Sequence, residues 1–142
     1  MKARFLFLAA TVLGVTLAPA VHADEALVTT LEQISKDQIA AFNREDVAAT
    51  MGYANTKSPA YVQTQAELSS QFSALDAKAE QVSFQYVGHD DEFAVARVKV
   101  KVTAPGAEGF DDNIVDTMTI FHQEGGRWKL WDTYVLGSEF IE

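Results

Sequence analysis

Alternation of apolar and polar residues at every second position is the feature that most constrains the fold of this chain. In the segment "FAVARVKVKV", residues 93–102, every second residue from Ala94 onward is alanine or valine, and Arg97, Lys99 and Lys101 lie between them. A period of two predicts a β-strand with one face in the core and the other face outside. The segments "VSFQYVG", "NIVDTMTIFH" and "RWKLWDTYVLG" show related patterns and are separated by turn-forming residues. The second half of the chain is therefore predicted to form a four-stranded antiparallel meander.

The segment before these strands has the three- and four-residue spacing of helices. Asp24 is expected to cap a first helix, on whose inner face Gln38 is the only polar residue. Asp46 is expected to cap a short second helix, and Thr64 and Glu67 have the spacing of a capping box at the start of a third. Three helices packed on one face of an antiparallel sheet make an α+β fold.

The first 23 residues have the pattern of a secretory signal peptide rather than of a folded element. A short basic start precedes an apolar run at residues 5–17, and "APAVHA" follows with small residues where a signal peptidase cuts. We expect cleavage after Ala23, with Ala20 as the alternative, and N-terminal sequencing of the exported protein distinguishes the two. The domain is then residues 24–142, and the location is periplasmic or secreted.

Charge and composition exclude several classes of partner and chemistry. Removal of Lys2 and Arg4 with the leader takes the net charge from −9 to −11, which repels nucleic acid and anionic membranes. The chain has no cysteine, so it has neither a disulfide nor a thiol nucleophile. The "HDDE" tetrapeptide at residues 89–92 is typical of a hairpin tip, and no zinc or EF-hand spacing is present. No metal and no cofactor are expected, and no membrane partner after leader removal.

The last hairpin decides where the aspartate in the strand "NIVDTMTIF" points. A three-residue loop over residues 124–126 would place Asp116 opposite Tyr134 and Met118 opposite Asp132, all on the more apolar side of the sheet. That side is expected to face the helices. A two-residue Gly-Gly loop would shift the pairing by one and turn Asp132 and Tyr134 to the other side, and a β-bulge would have the same effect.

Carboxylates that face the helices would carry the chemistry of this chain. A buried carboxylate requires hydrogen bonds or water, and two neighbouring acids raise the pKa of at least one of them. Asp116 and Asp132 are therefore the candidates for an acid–base role. The candidate ligand-binding residues are Gln38, Asp116, Met118, Asp132 and Tyr134. The alternative is that both acids are structural and lie at the sheet ends or bond to backbone.

Two stretches resemble the NTF2-like (SnoaL-like) superfamily. They are "AFNREDVAATM", at the first helix junction, and "TIFHQEGGRWKLW", at the last hairpin, and the resemblance covers residues 31–135. It implies a cone in which three N-terminal helices pack on a curved antiparallel sheet of four long strands. It implies little about function, because neither stretch is catalytic.

Ketosteroid isomerase, a member of that superfamily, provides a test of catalysis. The resemblance places its first-helix tyrosine near Gln38, its catalytic aspartate near Ser58, and its protonated aspartate at Asp116 in "IVDTM". Only Asp116 keeps the chemistry of the isomerase position, so that activity is not expected.

Three functions follow from these observations. The first is an exported domain that binds a small, partly apolar molecule in its cone pocket without turnover. The second is a cofactor-free acid–base enzyme of the isomerase, dehydratase or cyclase type. The third is protein binding through the outer face of the sheet, where a homodimer is expected to form. The residues expected on that face beside the basic row are Val115, Phe121, Trp131 and Val135.

Overall fold

The computed structural model of the protein describes residues 24–141 and has three helices followed by four strands. The helices are α1 (Glu25–Asn43), α2 (Val47–Met51) and α3 (Tyr61–Ala74), and the strands are β1 (Lys78–His89), β2 (Phe93–Thr103), β3 (Asn113–Glu124) and β4 (Arg127–Phe140). The strands form one antiparallel sheet in the order β1-β2-β3-β4. The predicted α+β fold is confirmed. The predicted signal peptide lies outside the described residues.

The first two helices begin where their sequence caps predict. Asp24 Oδ1 accepts hydrogen bonds from the backbone N–H groups of Ala26 at 3.1 Å and Leu27 at 3.3 Å. Asp46 Oδ1 accepts one from the Ala49 N–H at 2.8 Å. These contacts satisfy backbone donors that have no partner inside a helix.

The third helix begins earlier than the predicted capping box. Its N-cap is Ala60, which has no side chain able to cap it, and the helix runs from Tyr61. The turn before it replaces the cap, because Ser58 Oγ accepts a hydrogen bond from the Ala60 N–H at 3.2 Å. Glu67 instead accepts a hydrogen bond from Gln63 at 2.7 Å, so the capping-box prediction is wrong.

The core lies between α1 and the concave face of the sheet. Its buried members are Leu31, Ala94, Ala96, Val98, Phe121 and Leu130. Ala94 pairs with Phe121 across β2 and β3, so a small residue leaves space for a ring that is fully buried. Close packing of this kind supplies most of the stabilisation of a domain without disulfides.

The β3–β4 hairpin has a two-residue turn, not the expected three-residue loop. Glu124 pairs with Arg127, and Gly125 and Gly126 form the turn with φ angles of 58° and 77°. Two consecutive positive φ angles define the turn type that matches the twist of a hairpin, and glycine adopts them without steric cost. The Gly-Gly alternative is therefore the correct one.

The shorter turn moves β3 by one residue and exchanges its two faces. Thr117, Thr119 and Phe121 are buried on the helix side, whereas Asp116 and Met118 lie on the outer face. Their partners are Gly137 and Tyr134, because the pairing also shifts between residues 116 and 117 and between 120 and 121. The prediction that Asp116, Met118, Asp132 and Tyr134 share the helix-facing side is wrong.

The outer face of the sheet also differs from its predicted composition. Arg97 lies there as expected, and Trp131 packs with Phe93 on that face. Phe121 is fully buried on the other side, and Val115 pairs with Val100 on that same helix-facing side. The apolar outer-face residues of β3 are instead Ile114, Met118 and Ile120.

We expect Gly126→Ala to destabilise the fold by about 1–2 kcal/mol, because a Cβ atom disfavours the left-handed conformation. Gly137→Ala is the matched control, since its φ is not in that region and a Cβ there meets nothing within 4 Å. The control should change the free energy of unfolding by less than about 0.5 kcal/mol. Urea unfolding measures both variants, and equal effects would contradict the turn assignment.

Candidate functional site

A cavity of about 130 Å³ lies between α1, the turn before α3, the first turn of α3, and β4. Its lining residues are Gln38, Ala54, Ser58, Ala60, Tyr61, Thr64, Leu130, Trp131, Asp132 and Thr133. The lining residues thus include a glutamine, four hydroxyl-bearing residues and an aspartate, together with a few apolar residues. A concave site with a small number of convergent polar groups is the usual form of a small-molecule site.

One wall of the cavity is held by a segment that pairs with the edge of β4. The Asn55 N–H donates to the Leu130 carbonyl at 2.7 Å, and the Leu130 N–H donates to the Tyr53 carbonyl at 2.8 Å. These two bonds make a parallel bridge between Ala54 and Leu130. The segment therefore covers the first part of an otherwise open sheet edge, and the cavity begins where this cover ends.

Asn55 fixes this wall from inside. Its side chain is fully buried, and its Oδ1 accepts a hydrogen bond from the Lys57 N–H at 2.9 Å. Its Nδ2 lies 3.1 Å from His122 Nδ1. Because the amide nitrogen can only donate, His122 Nδ1 is the acceptor and its proton is on Nε2. The histidine in β3 is thus part of the scaffold of the cavity wall.

Asp132 lies where β4 departs from regular pairing. The register shifts between Ile120 and Phe121, so that Leu130 and Asp132 pair with neighbouring residues of β3. Asp132 Oδ1 accepts a hydrogen bond from the N–H of Thr133 at 2.8 Å. The nearby Asp132 carboxylate raises the pKa of the Tyr134 hydroxyl.

The structure brings together two of the five candidate site residues at this cavity. Gln38 comes from α1 and Asp132 from β4, and both line the cavity. Tyr134 is next to Asp132, but 55% of its surface is exposed. Asp116 and Met118 lie on the outer face of the sheet, away from the cavity lining.

Four polar lining residues were not among the candidates from sequence. They are Ser58, Tyr61, Thr64 and Thr133. The prediction that α3 begins at the capping box placed Tyr61 outside the helix. It therefore did not put Tyr61 and Thr64 on one helix face. Their three-residue spacing, continued by Leu68, is the signal that reveals a common helix face.

Asp116 is bound to an arginine and does not have the environment of a general acid. Arg97 Nε donates to Asp116 Oδ1 at 2.8 Å, and Arg97 Nη2 pairs with Oδ2. The hydrogen bonds from Arg97 hold the pKa of the Asp116 carboxyl below its usual range, and the charge of Lys99 acts in the same direction. A bidentate partner of this kind keeps the carboxylate ionised, so a catalytic role for Asp116 is not supported.

The hairpin tip near residue 90 is also structural. Asp90 Oδ1 accepts hydrogen bonds from the N–H groups of Glu92 at 2.8 Å and Phe93 at 2.7 Å, which lowers the pKa of Asp90. Among residues 24–141, no group of three or more acidic or histidine side chains is arranged to hold a metal ion. No helix in the same part of the chain combines the length and apolarity needed to span a membrane.

Residues 33–141 match the family defined by the C-terminal domain of the anti-sigma-I factor RsgI9. The chain belongs to this family. The match covers well over half of the sequence and includes the cavity residues from α1 to β4. No protein with a curated description has a matching sequence.

Solved structures share the fold of this family member at low sequence identity. An NTF2-like protein of unknown function from Pseudomonas putida aligns with a TM-score of 0.67 and 10% identity, over 80% of this chain and 88% of that chain. A candidate dehydratase of the NTF2-like family from Streptomyces avermitilis aligns with a TM-score of 0.67 and 11% identity, over 84% of this chain and 99% of that chain. Bd1075 of Bdellovibrio bacteriovorus aligns with a TM-score of 0.62 and 11% identity, over 75% of this chain. The match spans only 39% of Bd1075. At these identities the likeness shows the fold alone, which is NTF2-like.

We expect the Asp116 carboxyl to titrate below the ordinary Asp value of about 3.9, because Arg97 favours its charged form. Since the folded pKa is the lower one, the stabilising contribution of Asp116 is present above the unfolded pKa. It is lost as the pH falls through the folded pKa. A carboxyl-carbon NMR titration measures the value.

Arg97→Gln should move the Asp116 midpoint upward more than Lys99→Gln does, because only Arg97 donates hydrogen bonds to this carboxylate. The Lys99 variant is thus the matched control for loss of one positive charge. An Asp116 midpoint above the ordinary value in the unaltered protein would contradict the ion pair.

Proposed function

We propose that this domain binds a small molecule in the cavity between α1, α3 and β4 and does not turn it over. The observation that carries the proposal is that Gln38 and Asp132, from a helix and from a strand, line one cavity with Tyr61 and Thr64. The side chains of Gln38, Tyr61 and Thr64 make no side-chain hydrogen bond to another residue between 24 and 141, so they are available to a ligand.

The size of the cavity limits the ligand. A volume of 130 Å³ corresponds to about four water molecules at the ~30 Å³ each occupies in the liquid. Sites for drug-sized ligands have volumes of roughly 300–1,000 Å³. The proposed ligand is therefore a compact polar molecule, and polycyclic substrates of the ketosteroid isomerase type exceed this space.

Several observations support binding over catalysis. Asp116 is paired with Arg97, and the position that resembles the catalytic base of ketosteroid isomerase is occupied by Ser58. The Ser58 hydroxyl oxygen is engaged by the Ala60 N–H. The name of the family describes a regulator rather than an enzyme, which also favours a binding role. We place the protein in the periplasm or outside the cell, on the basis of the signal-peptide pattern.

We expect Thr64→Phe to abolish ligand binding, because a ring at this position fills the cavity. Gln65→Phe is the matched control, since Gln65 is exposed on α3 and does not line the cavity. The measurement is the shift of backbone amide NMR signals on addition of compact polar compounds no larger than about four water molecules.

Binding that survives Thr64→Phe with unchanged affinity would place the ligand outside this cavity. Binding that is lost equally in Gln65→Phe would show that the helix, not the cavity, was disturbed. Either result would overturn the assignment of the site.

The outer face of the sheet supports a second role, as the interface of a homodimer. No helix between residues 24 and 141 covers this face, which carries Ile114, Met118 and Ile120. At one end, His122 packs against Phe93 and Trp131, with ring centroids 4.5 Å and 4.8 Å away. Uncovered apolar and aromatic groups of this kind are typical of interaction surfaces. We propose that a second copy of the chain covers them.

Ile120→Lys should convert the dimer to a monomer, because it introduces a charge at the centre of the proposed interface. Val62→Lys is the control, since Val62 is 76% exposed on α3, away from the outer face. Gel filtration with light scattering measures the mass at micromolar concentration. A monomeric mass for the unaltered protein would refute the dimer.

A further inference from the structure

We propose that the twofold axis of the homodimer runs parallel to the strands, so that β2 of each copy lies over β4 of the other. The inference rests on the proposed homodimer and adds the orientation of the two copies and a contact that holds them. Its basis is an ordered pattern on the outer face of the sheet, where β2 is basic, β3 is largely apolar and β4 is acidic beyond its hairpin end. Lys101 of each copy then meets Glu139 of the other.

The strand pairing arranges the outer-face residues in rows that cross the sheet. Lys101 pairs with Ile114, and Ile114 pairs with Glu139. Residues directly opposite each other in an antiparallel sheet have their side chains on the same face. The ion pair of Arg97 with Asp116 identifies that face as the outer one, because both residues alternate in phase with this row. The row therefore runs from a positive charge on β2, through an apolar side chain on β3, to a negative charge on β4.

The strands contribute different kinds of side chain to this face. The residues that define the pattern are Arg97, Lys99 and Lys101 on β2, Ile114, Met118 and Ile120 on β3, and Asp132 and Glu139 on β4. Asp116 interrupts the apolar row, but its charge is neutralised by Arg97. Opposite charges thus lie on the two strands that flank an apolar row.

The positive charge of β2 and the negative charge of β4 are not cancelled within one copy. Lys101 and Glu139 take part in none of the ion pairs between residues 24 and 141. Glu80, opposite Lys101 on β1, is likewise outside the ion pairs of this part of the chain. The basic residues of β4 are Arg127 and Lys129, and both lie at the hairpin end, away from Glu139. A second copy supplies the opposite charge for each strand.

Twofold symmetry allows two ways to pack the outer faces together, and the charges distinguish them. When the axis lies between the sheets and parallel to the strands, β3 lies over β3 and β2 over β4, and each row keeps its level along the strands. When the axis is perpendicular to the strands, β2 lies over β2 and β4 over β4. The first arrangement brings opposite charges together, whereas the second brings like charges together, which opposes association. Every contact in such an interface occurs twice, so both effects are doubled.

An open groove beside Glu139 gives the basic side chains of the other copy room to reach it. The groove has a volume of about 190 Å³ and is lined by Lys99, Ile114, Asp116, Gly137, Ser138 and Glu139. At its centre Gly137 pairs with Asp116, and a Cβ atom on this glycine would meet nothing within 4 Å. Glycine inside a strand is found where another chain approaches closely. The missing side chain therefore leaves Glu139 accessible to a lysine from above the sheet.

Exchange of the two charges tests the contact between Lys101 and Glu139. Lys101→Glu and Glu139→Lys each place like charges together at both copies of the contact, and we expect each to raise the Kd of the dimer at least about tenfold. The double variant restores opposite charges, so its Kd should return to within about threefold of that of the unaltered protein. Glu67→Lys is the control for a change in net charge, because Glu67 is exposed on α3. Analytical ultracentrifugation at low ionic strength measures each Kd.

Single-cysteine variants test the direction of the axis, since the chain has no cysteine of its own. Ile114 and Ile120 lie at the two ends of the apolar row on β3, about 20 Å apart at the usual rise of a strand. An axis parallel to the strands places each of them near its own copy, so Ile114→Cys and Ile120→Cys should both be linked into covalent dimers by bismaleimidoethane. A perpendicular axis places at most one of them there. Val62→Cys, exposed on α3, is the control and should not be linked.

The possible outcomes separate this inference from the proposed homodimer. A monomeric mass for the unaltered protein refutes the dimer, and the orientation fails with it. If the protein is a dimer but the single charge variants bind as tightly as the unaltered protein, or the double variant stays as weak as they are, the dimer stands and the orientation is wrong. Failure of either cysteine on β3 to link to its own copy has the same meaning. Rescue by the double variant together with linkage at both positions supports the orientation.

Discussion

The two positive φ angles at Gly125 and Gly126 are the constraint on which the rest of the structure depends. They close the β3–β4 hairpin with two residues and so fix which residue of β3 pairs with which residue of β4. Because side chains alternate between faces, this register places Phe121 in the core and Asp116 outside. A longer turn would exchange the two and leave a carboxylate against the helices.

The cavity depends on the pairing of β3 with β4 and on the segment around Ala54 that covers the edge of β4. The bridge between Ala54 and Leu130 ends just before the irregular pairing at Asp132, so the polar lining begins where the backbone edge is no longer covered. Asn55 stabilises this arrangement from a fully buried position through bonds to His122 and Lys57. Buried polar groups with all partners present give such a wall a single conformation.

Two aspartates on neighbouring strands of one sheet have different roles because their partners differ. Asp116 has a bidentate arginine partner, which lowers its pKa and makes it part of the outer-face scaffold. Asp132 pairs with Ile120, and its Oδ1 accepts a hydrogen bond from the neutral Thr133 N–H. The two residues are of the same type. The charge of the group that donates to each carboxylate decides whether that carboxylate is neutralised.

The sequence by itself determined the α+β class, the four strands and the caps at Asp24 and Asp46, because these depend on periodicity and on hydrogen bonds between near neighbours. It predicted Gln38 and Asp132 as site residues, and the structure places both at one cavity. The face of Asp116 was decided only by the tertiary structure.

The physical reason is that both faces of β3 resemble a core. The outer face carries apolar side chains, whereas the buried face carries Thr117, whose hydroxyl donates to the Val98 carbonyl at 2.9 Å. A threonine whose hydroxyl makes such a hydrogen bond is buried at little cost in free energy. The alternation of polar and apolar residues in the sequence does not reveal that burial. The turn geometry and the register shifts, which act across strands, choose between the two faces.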